Sequence, residues 1–286
     1  MATRRLVLVD GHAVMYRSFY AIPELSTAAG RPTNAVYGFI RAIRQLRSKL
    51  RPTHMMVIFD GGLPPRRIAL LASYKAQRPS MPEPLRGQFS TAEEYLGRAA
   101  IAWLRMPLEE ADDVIATLAH KAEADGSEVL IASNDKDMYQ LVSEHTRMVP
   151  PSDTDKIMTV EDVRAKTGVG PEKIVEWLAL IGDASDNIDG VPGVGPKTAT
   201  KLLSQFGSVD GILRGLPGVG SPGIRKALEE HRDIVLRNME LVRLSRDLEC
   251  SPDWGAVEVR PEDPARLLPF LKELELNSLV KEMEKV

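Results

Sequence analysis

Three short apolar runs in the first half of this chain each lead into an acid. Leu6-Val7-Leu8-Val9 runs into Asp10-Gly11, Met55–Phe59 into Asp60, and Glu128–Ala132 into Asn134-Asp135-Lys136-Asp137. Continuous apolar runs of this length suit strands buried on both faces of a parallel sheet. Helical patterns lie between them. Over Asn34–Leu50, Val36, Phe39, Ile40, Ile43 and Leu46 fall on one side behind a candidate Asn34 cap. Thr91–Leu104 also reads as helical, and Val114–Ala124 forms a helix opened by Glu109-Glu110-Ala111-Asp112-Asp113 and closed by Gly126. Thr146–Val149 is read as a further short strand. Strands alternating with helices predict an α/β domain over residues 1–150 with a doubly wound, mostly parallel central sheet. Such sheets place their ligands outside the carboxyl ends of the strands, where these acids fall.

From Gly61 the pattern breaks. Pro64, Pro65, Pro79, Pro82 and Pro84 interrupt regular structure, and Arg66, Arg67, Lys75, Arg78 and Arg86 bring positive charge around Tyr74. A long polar insertion of this kind, placed at about 61–95, is more often functional than inert. After Pro150-Pro151 the strands stop. Val160–Lys166, Pro171–Ile181, Lys197–Phe206, Ile224–His231 and Ile234–Leu244 read as helices, so residues 151–286 are predicted as a helical module.

Within that module, Gly182–Leu203 joins two chemistries. Asp183 and Asp186 sit in a short polar turn, and the chain then enters Gly190-Val191-Pro192-Gly193-Val194-Gly195 before Pro196 and the basic helix start that carries Lys197, Thr198 and Lys201. Glycines allow a tight turn and close approach of a ligand. Proline suits the first helical position, and the free amides there attract phosphate. The glycine spacing imitates a nucleotide-binding P-loop, but Pro196 displaces Lys197 by one place and no apolar strand immediately precedes it. The remaining pattern is a helix-hairpin-helix over about 171–206, with helices Ile174–Ile181 and Lys197–Phe206, whose usual ligand is a duplex DNA backbone. Gly215-Leu-Pro-Gly-Val-Gly220 nearly repeats the turn, with Pro222 and Gly223 where the first copy has Lys197 and Thr198, and is read as a helix connection rather than a second phosphate contact.

Composition limits the alternatives. With 286 residues, a net charge of −3 and 27 % charged residues, the chain is no uniformly basic nucleic-acid coat, so any nucleic-acid binding rests on local patches. Cys250 is the single cysteine, which excludes an intramolecular disulfide and a thiolate zinc cluster. The five histidines are scattered without ligand spacing. No signal peptide and no membrane-length apolar run is present, and a soluble, cytoplasmic protein is expected.

The acids at strand ends, helix starts and the polar turn are Asp10, Asp60, Glu110, Asp112, Asp113, Asp135, Asp137, Asp183 and Asp186. Gathered in one place they cannot all stay ionised unless cations share the site. Hard oxygen ligands without Cys or His point to Mg²⁺ or Mn²⁺. Two such ions, about 3.5–4 Å apart, suit in-line attack on a phosphodiester. Each short acidic motif is weak alone, since surface acids and helix-capping acids are common.

LVDG (8–11), VIFD (57–60), YKAQRP (74–79), EADD (110–113), NDKDM (134–138), GDASDN (182–187) and GVPGVGPKTA (190–199), in this order, resemble the 5′ nuclease family. That family comprises the N-terminal domain of bacterial DNA polymerase I and stand-alone flap endonucleases and 5′→3′ exonucleases. The similarity continues to FLKELELNSL (270–279), and with Val286 closing the chain a stand-alone enzyme is the simpler expectation.

The resemblance implies a structure-specific 5′ nuclease that cuts near single-strand/duplex junctions by a two-metal-ion mechanism, in replication and repair. Asp10, Asp60, Glu110 and Asp112 would lie nearer one ion, Asp135, Asp137, Asp183 and Asp186 nearer the other, and Asp113 between them. The insertion would form a gateway and arch. In it Lys75 and Arg78 would engage the scissile phosphate, and Tyr74 would offer an aromatic face or packing. Arg17 would lie near the 5′ end, and Arg66 and Arg67 would contact DNA. Gly190, Val191, Gly193, Val194, Gly195, Lys197, Thr198 and Lys201 would hold the duplex, with K⁺ as a further ligand of the turn. The expected partner is flap, nicked, gapped or 5′-overhang DNA, bound by a monomer. Asn134 before the D-K-D, Asp189 before the turn, and Gly61–Pro65 without lysines depart from the family's pattern. Two rivals are a DNA-junction binding protein without chemistry and an α/β phosphotransferase using Asp10 as nucleophile.

Overall fold

The computed structural model describes residues 4–285. Strands β1 (Arg5–Asp10), β2 (His54–Phe59), β3 (Ala102–Arg105), β4 (Glu128–Ala132) and β5 (Thr146–Val149) form one sheet in the order β3-β2-β1-β4-β5. Every pairing is parallel. In register, Val9 lies opposite Val57 on one side and Ala132 on the other, so Asp10, Asp60 and the Ser133–Asp137 loop leave the sheet at one edge. β3 replaces the end of the helical run expected to reach Leu104, because the helix stops at Arg98.

β1 alternates its side chains between two cores. Leu6 and Leu8 pack with α5 (Ala111–Ala124), while Val7 and Val9 pack on the opposite face with α1 (Gly11–Ala21) and α2 (Asn34–Leu50). Asp10 caps α1, accepting the Ala13 amide at 2.9 Å. Asn34 is the first residue inside α2 rather than its cap, and its amide nitrogen donates to the Phe19 carbonyl at 3.0 Å.

The insertion is shorter than the expected 61–95. After the six-residue α3 (Pro65–Leu70) and a run of turns, α4 (Glu83–Arg98) buries Leu85, Phe89, Ala92, Tyr95 and Leu96 in the α2 core. Its apolar spacing makes it a helix of the domain, leaving only about 61–82 to wrap the strand ends.

The helical module contains α6 (Val160–Thr167), α7 (Ile174–Ile181), α8 (Pro196–Phe206), α9 (Val209–Arg214), α10 (Pro222–Glu230) and α11 (Arg232–Val242). Strands are not wholly absent from it, since β6 (Gly182–Asp183) and β7 (Ile188–Asp189) form a two-residue antiparallel pair that brackets the acidic turn. α12 (Pro264–Glu273) and α13 (Asn277–Met283) leave the module and return to the first domain, where Leu267, Phe270, Leu271, Leu274 and Leu279 join the core of α2 and α4. A boundary that assigns all of 151–286 to the module therefore does not describe the packing. Among the described residues no helix is long and apolar enough to cross a membrane.

Candidate metal centre and nucleic-acid interface

The parallel register brings the carboxylates to one edge of the sheet, and local turns aim them. Asp10 follows β1, accepts the Ser133 hydroxyl at 3.2 Å, and is buried. Burial, then the charges of Asp60 and Asp135, pushes its carboxyl up to about 7. Asp60 follows β2 and accepts the Ala111 amide at 2.8 Å, which ties it to the start of α5. Asp112, in the first turn of α5, is held well above the carboxylate range by burial and by Asp135, Asp10 and Asp60. Asp135 caps the 3-10 turn Lys136–Leu141 by accepting the Asp137 amide at 2.9 Å. Burial and then Asp135 likewise push the Asp137 carboxyl well above the usual range. Its Oδ1 is a buried acceptor with no hydrogen-bond partner.

Asp183 and Asp186 come from the β6–β7 turn. Asp183 accepts the Ser185 amide at 2.8 Å and the Ser185 hydroxyl at 2.6 Å, and pairs with Lys136 at 2.5 Å. Burial opposes its charge, but Lys136 and Ser185 outweigh it and hold the carboxyl below its usual range. Asp186 pairs with Arg78 at 2.5 Å and accepts the Tyr74 hydroxyl at 3.1 Å. Glu110 accepts from Lys75, Arg67 and Tyr74.

The acids therefore form one field of mutual repulsion, relieved by basic side chains around its rim. Lys75 is half-buried, and desolvation opposes its charge, yet Glu110 and Asp186 outweigh that cost and raise its pKa. Among the described residues, no three acidic, histidine or cysteine side chains already converge in metal-binding geometry. The donor set nevertheless fits a hard divalent cation: all oxygen, several carboxyls forced toward protonation, and one orphaned buried oxygen on Asp137.

Asp113 and Arg67 depart from expectation, and of the two roles expected for Tyr74 the structure shows packing. Asp113 is 0 % exposed, and Arg67, Arg66 and the Ser245 amide take its oxygens, leaving none directed at an ion. Arg67, expected on DNA, is 3 % exposed and enclosed by those carboxylates. Arg66 pairs with Glu109 and Asp113, both at 2.8 Å. Tyr74 offers no stacking face, since its ring is 3 % exposed and burial, then Glu110, drives its hydroxyl pKa upward. Arg17 lies exposed on α1.

The hairpin follows α7. Gly193 takes the left-handed conformation, with φ 78°, and Gly195 leaves the start of α8 without a side-chain cap. Gly193, Gly195, Lys197 and Lys201 are exposed, and Thr198 is half-buried. Val191 and Val194 are buried beneath the turn, and Gly190 is pressed against the carbonyl of Ile181, so these three shape the turn from inside. The second glycine turn packs Gly215 and Gly218 on Phe206, and Arg225 donates back to the Val219 carbonyl at 2.9 Å, as a helix connection would.

Sequence reasoning passed over two residues at the site. The Asp60 amide donates to Nδ1 of His12 at 3.0 Å, and burial, ahead of the opposing Asp60 charge, lowers the histidine's pKa. Its position two residues beyond a strand-end acid was the available signal. Lys136 stands between the two aspartates of its own motif and reaches Asp183.

Comparison with known proteins defines the class. A family model described as 5′-3′ exonuclease, N-terminal resolvase-like domain, matches residues 5–168, and one described as 5′-3′ exonuclease, C-terminal SAM fold, matches residues 169–265. The chain belongs to the 5′-3′ exonuclease family, and is a nuclease. It is 42 % identical over 283 residues to a 5′-3′ exonuclease of Aquifex aeolicus, covering 99 % of this chain and 96 % of that one. It is 38 % identical to DNA polymerase I of Bacillus caldotenax, covering 98 % of this chain but 32 % of the polymerase. Among solved structures, the T5 D15 protein co-crystallised with metal ions superimposes with a TM-score of 0.71 at 21 % identity over 99 % of both chains. The catalytic core of Rad2 in complex with DNA substrate gives 0.63 at 16 % identity, over 95 % of this chain and 87 % of that one. At these identities the two likenesses concern the fold.

Proposed function

We propose that this nuclease hydrolyses DNA phosphodiesters near single-strand/duplex junctions, as a 5′→3′ exonuclease and flap endonuclease, with divalent cations held by the carboxylates at the strand ends. The observation that carries the reading is that the parallel register sets Asp10, Asp60 and the loop bearing Asp135 and Asp137 side by side at the carboxyl ends of the strands, where with Asp112 they repel one another. Asp10, Asp60, Glu110 and Asp112 would serve one Mg²⁺ or Mn²⁺ ion, and Asp135, Asp137, Asp183 and Asp186 a second. When bound, the ions supply an activated water and stabilise the leaving oxygen.

The chain's own residues do the rest. Ser133, Ser185 and the Ala111 amide orient the carboxylates, and His12 holds the backbone amide of Asp60. Lys75 and Arg78, already at the rim on Glu110 and Asp186, neutralise charge growing on the scissile phosphate. The exposed amides and lysines of the hairpin hold the duplex backbone without reading its sequence, with K⁺ as an added ligand of the turn. Flap-cutting and metal-bearing relatives of the same fold support the reading. The working form is proposed to be a cytoplasmic monomer.

Labelled flap, nicked, overhang and blunt duplexes, incubated with and without Mg²⁺ or Mn²⁺, test this. Cleavage is expected only with metal, chiefly at the flap junction, and Asp183→Asn is expected to lose it while still binding flap DNA. Unchanged cleavage by Asp183→Asn removes that residue from the metal set; activity on a small phosphomonoester with none on DNA overturns the function.

A further inference from the structure

Arg67 sits in the polar insertion, yet all of its donors are spent inside the protein. A guanidinium has five N–H groups, and five acceptors surround this one. Nη1 donates to Glu110 Oε2 and, at 2.5 Å, to Asp113 Oδ2; Nη2 donates to Asp113 Oδ1 at 3.0 Å. Nε donates to the Leu241 carbonyl at 2.9 Å, and Nη2 also to the Arg243 carbonyl at 3.2 Å. The first three acceptors open α5, beside Asp112. The last two belong to the C-terminal end of α11, Leu241 in its last turn and Arg243 as its C-cap, where carbonyls lack partners inside the helix.

α11 carries a second buried tie. Asn238, 0 % exposed, donates its amide nitrogen to the Ala179 carbonyl on α7 at 3.1 Å and to the Asp189 carbonyl at 2.7 Å, one residue before Gly190. A continuous path of buried polar contacts thus runs from the acids of α5, through Arg67 to the end of α11, along that helix to Asn238, and into the hairpin turn. Buried charges are poor sources of stability, because desolvation offsets their attraction; geometry is what such a network can specify. An apolar contact would hold α11 as firmly but let it slide.

We infer that Arg67 and Asn238 are positioning residues that fix the distance between the carboxylate cluster and the hairpin, and so choose which phosphodiester is cut. This rests on the function proposed above, because the distance matters only if the hairpin holds the duplex while the acids direct cleavage. Neither residue touches DNA. Their loss is expected to blur the cut site rather than weaken binding.

The test uses the full chain, a flap duplex labelled at its 5′ end, and Mg²⁺, with product lengths read at single-nucleotide resolution. The parent is expected to cut mainly one bond. Arg67→Lys, which keeps charge but has too few donors for the five acceptors, and Asn238→Ala are each expected to raise the share of cuts at neighbouring bonds about tenfold, consistent with displacements on the order of 1 Å. The dissociation constant for the uncut flap, measured with Ca²⁺, is expected to stay within about twofold of the parent value, while Lys197→Ala weakens binding about threefold or more and leaves the cut site alone. The double variant is expected to be no broader than the broader single variant, because both break one path. Asn238→Ala leaves no buried charge and carries the test if Arg67→Lys does not fold. An unchanged product distribution in a folded variant, with only the rate reduced, overturns the inference. A parent enzyme that leaves the flap intact refutes the proposed function instead.

Discussion

The backbone amide of Lys75 donates to the carbonyl of Asp186 at 3.0 Å, so the basic insertion is pinned to the acidic turn by main chain as well as by charge. Lys75 accepts a left-handed φ of 55° to do so, a conformation that disfavours side chains with a Cβ. Lys75→Ala and Lys75→Gly both remove the ammonium and are expected to lower turnover about 10²–10³-fold, with little change in duplex affinity. They are expected to separate in thermal melts, the glycine variant being about 1 kcal/mol more stable than the alanine variant. A larger loss of affinity than of turnover would take Lys75 out of the chemistry.

Metal-free protein is expected to lose stability as pH rises. The Asp10 carboxyl, near 3.8 when free, is pushed up to about 7 in the fold, and Asp112 and Asp137 shift the same way. Between those values the folded chain holds protons that the unfolded chain has released, so stability is full below the lower value and falls through the higher one. Melting in EDTA at about pH 5 and about pH 8 is expected to differ by roughly 1–4 kcal/mol in favour of the lower pH. Saturating Mg²⁺ is expected to erase the difference, because a bound cation replaces the protons. Asp183 shifts downward, so its contribution fades only below about 3.8 and does not enter this window.

Two glycines of the hairpin are expected to answer the same substitution differently. A Cβ on Gly190 would stand 2.2 Å from the Ile181 carbonyl oxygen, whereas one on Gly195 meets nothing within 4 Å. Gly190→Ala is expected to cost about 3 kcal/mol or more in folding. Gly195→Ala is expected to melt within about 1 kcal/mol of the parent yet bind duplex DNA more weakly, because the added methyl stands where a phosphate approaches the backbone. Equal duplex affinity for Gly195→Ala and parent would place the DNA elsewhere.

His12 is expected to matter through its acceptor. His12→Leu leaves the Asp60 amide without its partner and is expected to cost about 1–3 kcal/mol, together with a loss of Mg²⁺ affinity measurable by calorimetry. His12→Asn offers an oxygen in place of Nδ1 and is expected to restore much of both. Equal behaviour of the two variants would show that ring packing on Phe89, at 4.5 Å between centroids, is what counts.

Much of this was legible in the sequence because burial on both faces of a parallel sheet demands unbroken apolar runs, and each ended on an acid. β3 escaped notice since, at the sheet edge, Ala102 to Arg105 is only half covered and carries no such run. α1 was missed because Tyr16, Phe19 and Tyr20 lie outside its buried stripe and blur the period. The return of α12 and α13 was hidden for another reason: an apolar helix face shows that it needs a partner, not which one. Asp113 and Arg67 were misassigned because an arginine in a polar loop reads as exposed. Only a fold that supplies five acceptors from elements far apart in sequence can bury it.

β1 is made first and lies between β2 and β4. On the ribosome it has no neighbour on one side until His54–Phe59 emerges and none on the other until Glu128–Ala132 follows, and the turn bearing Asp183 and Asp186 is translated later still. On the proposed split the ligands that share an ion with Asp10 are all made once Asp112 is, whereas those of the second ion are complete only at Asp186, after α6 and α7. The hairpin turn, α8 and α11 are made only after Asp186, so in a growing chain the acids are complete before the segments proposed to choose the cut.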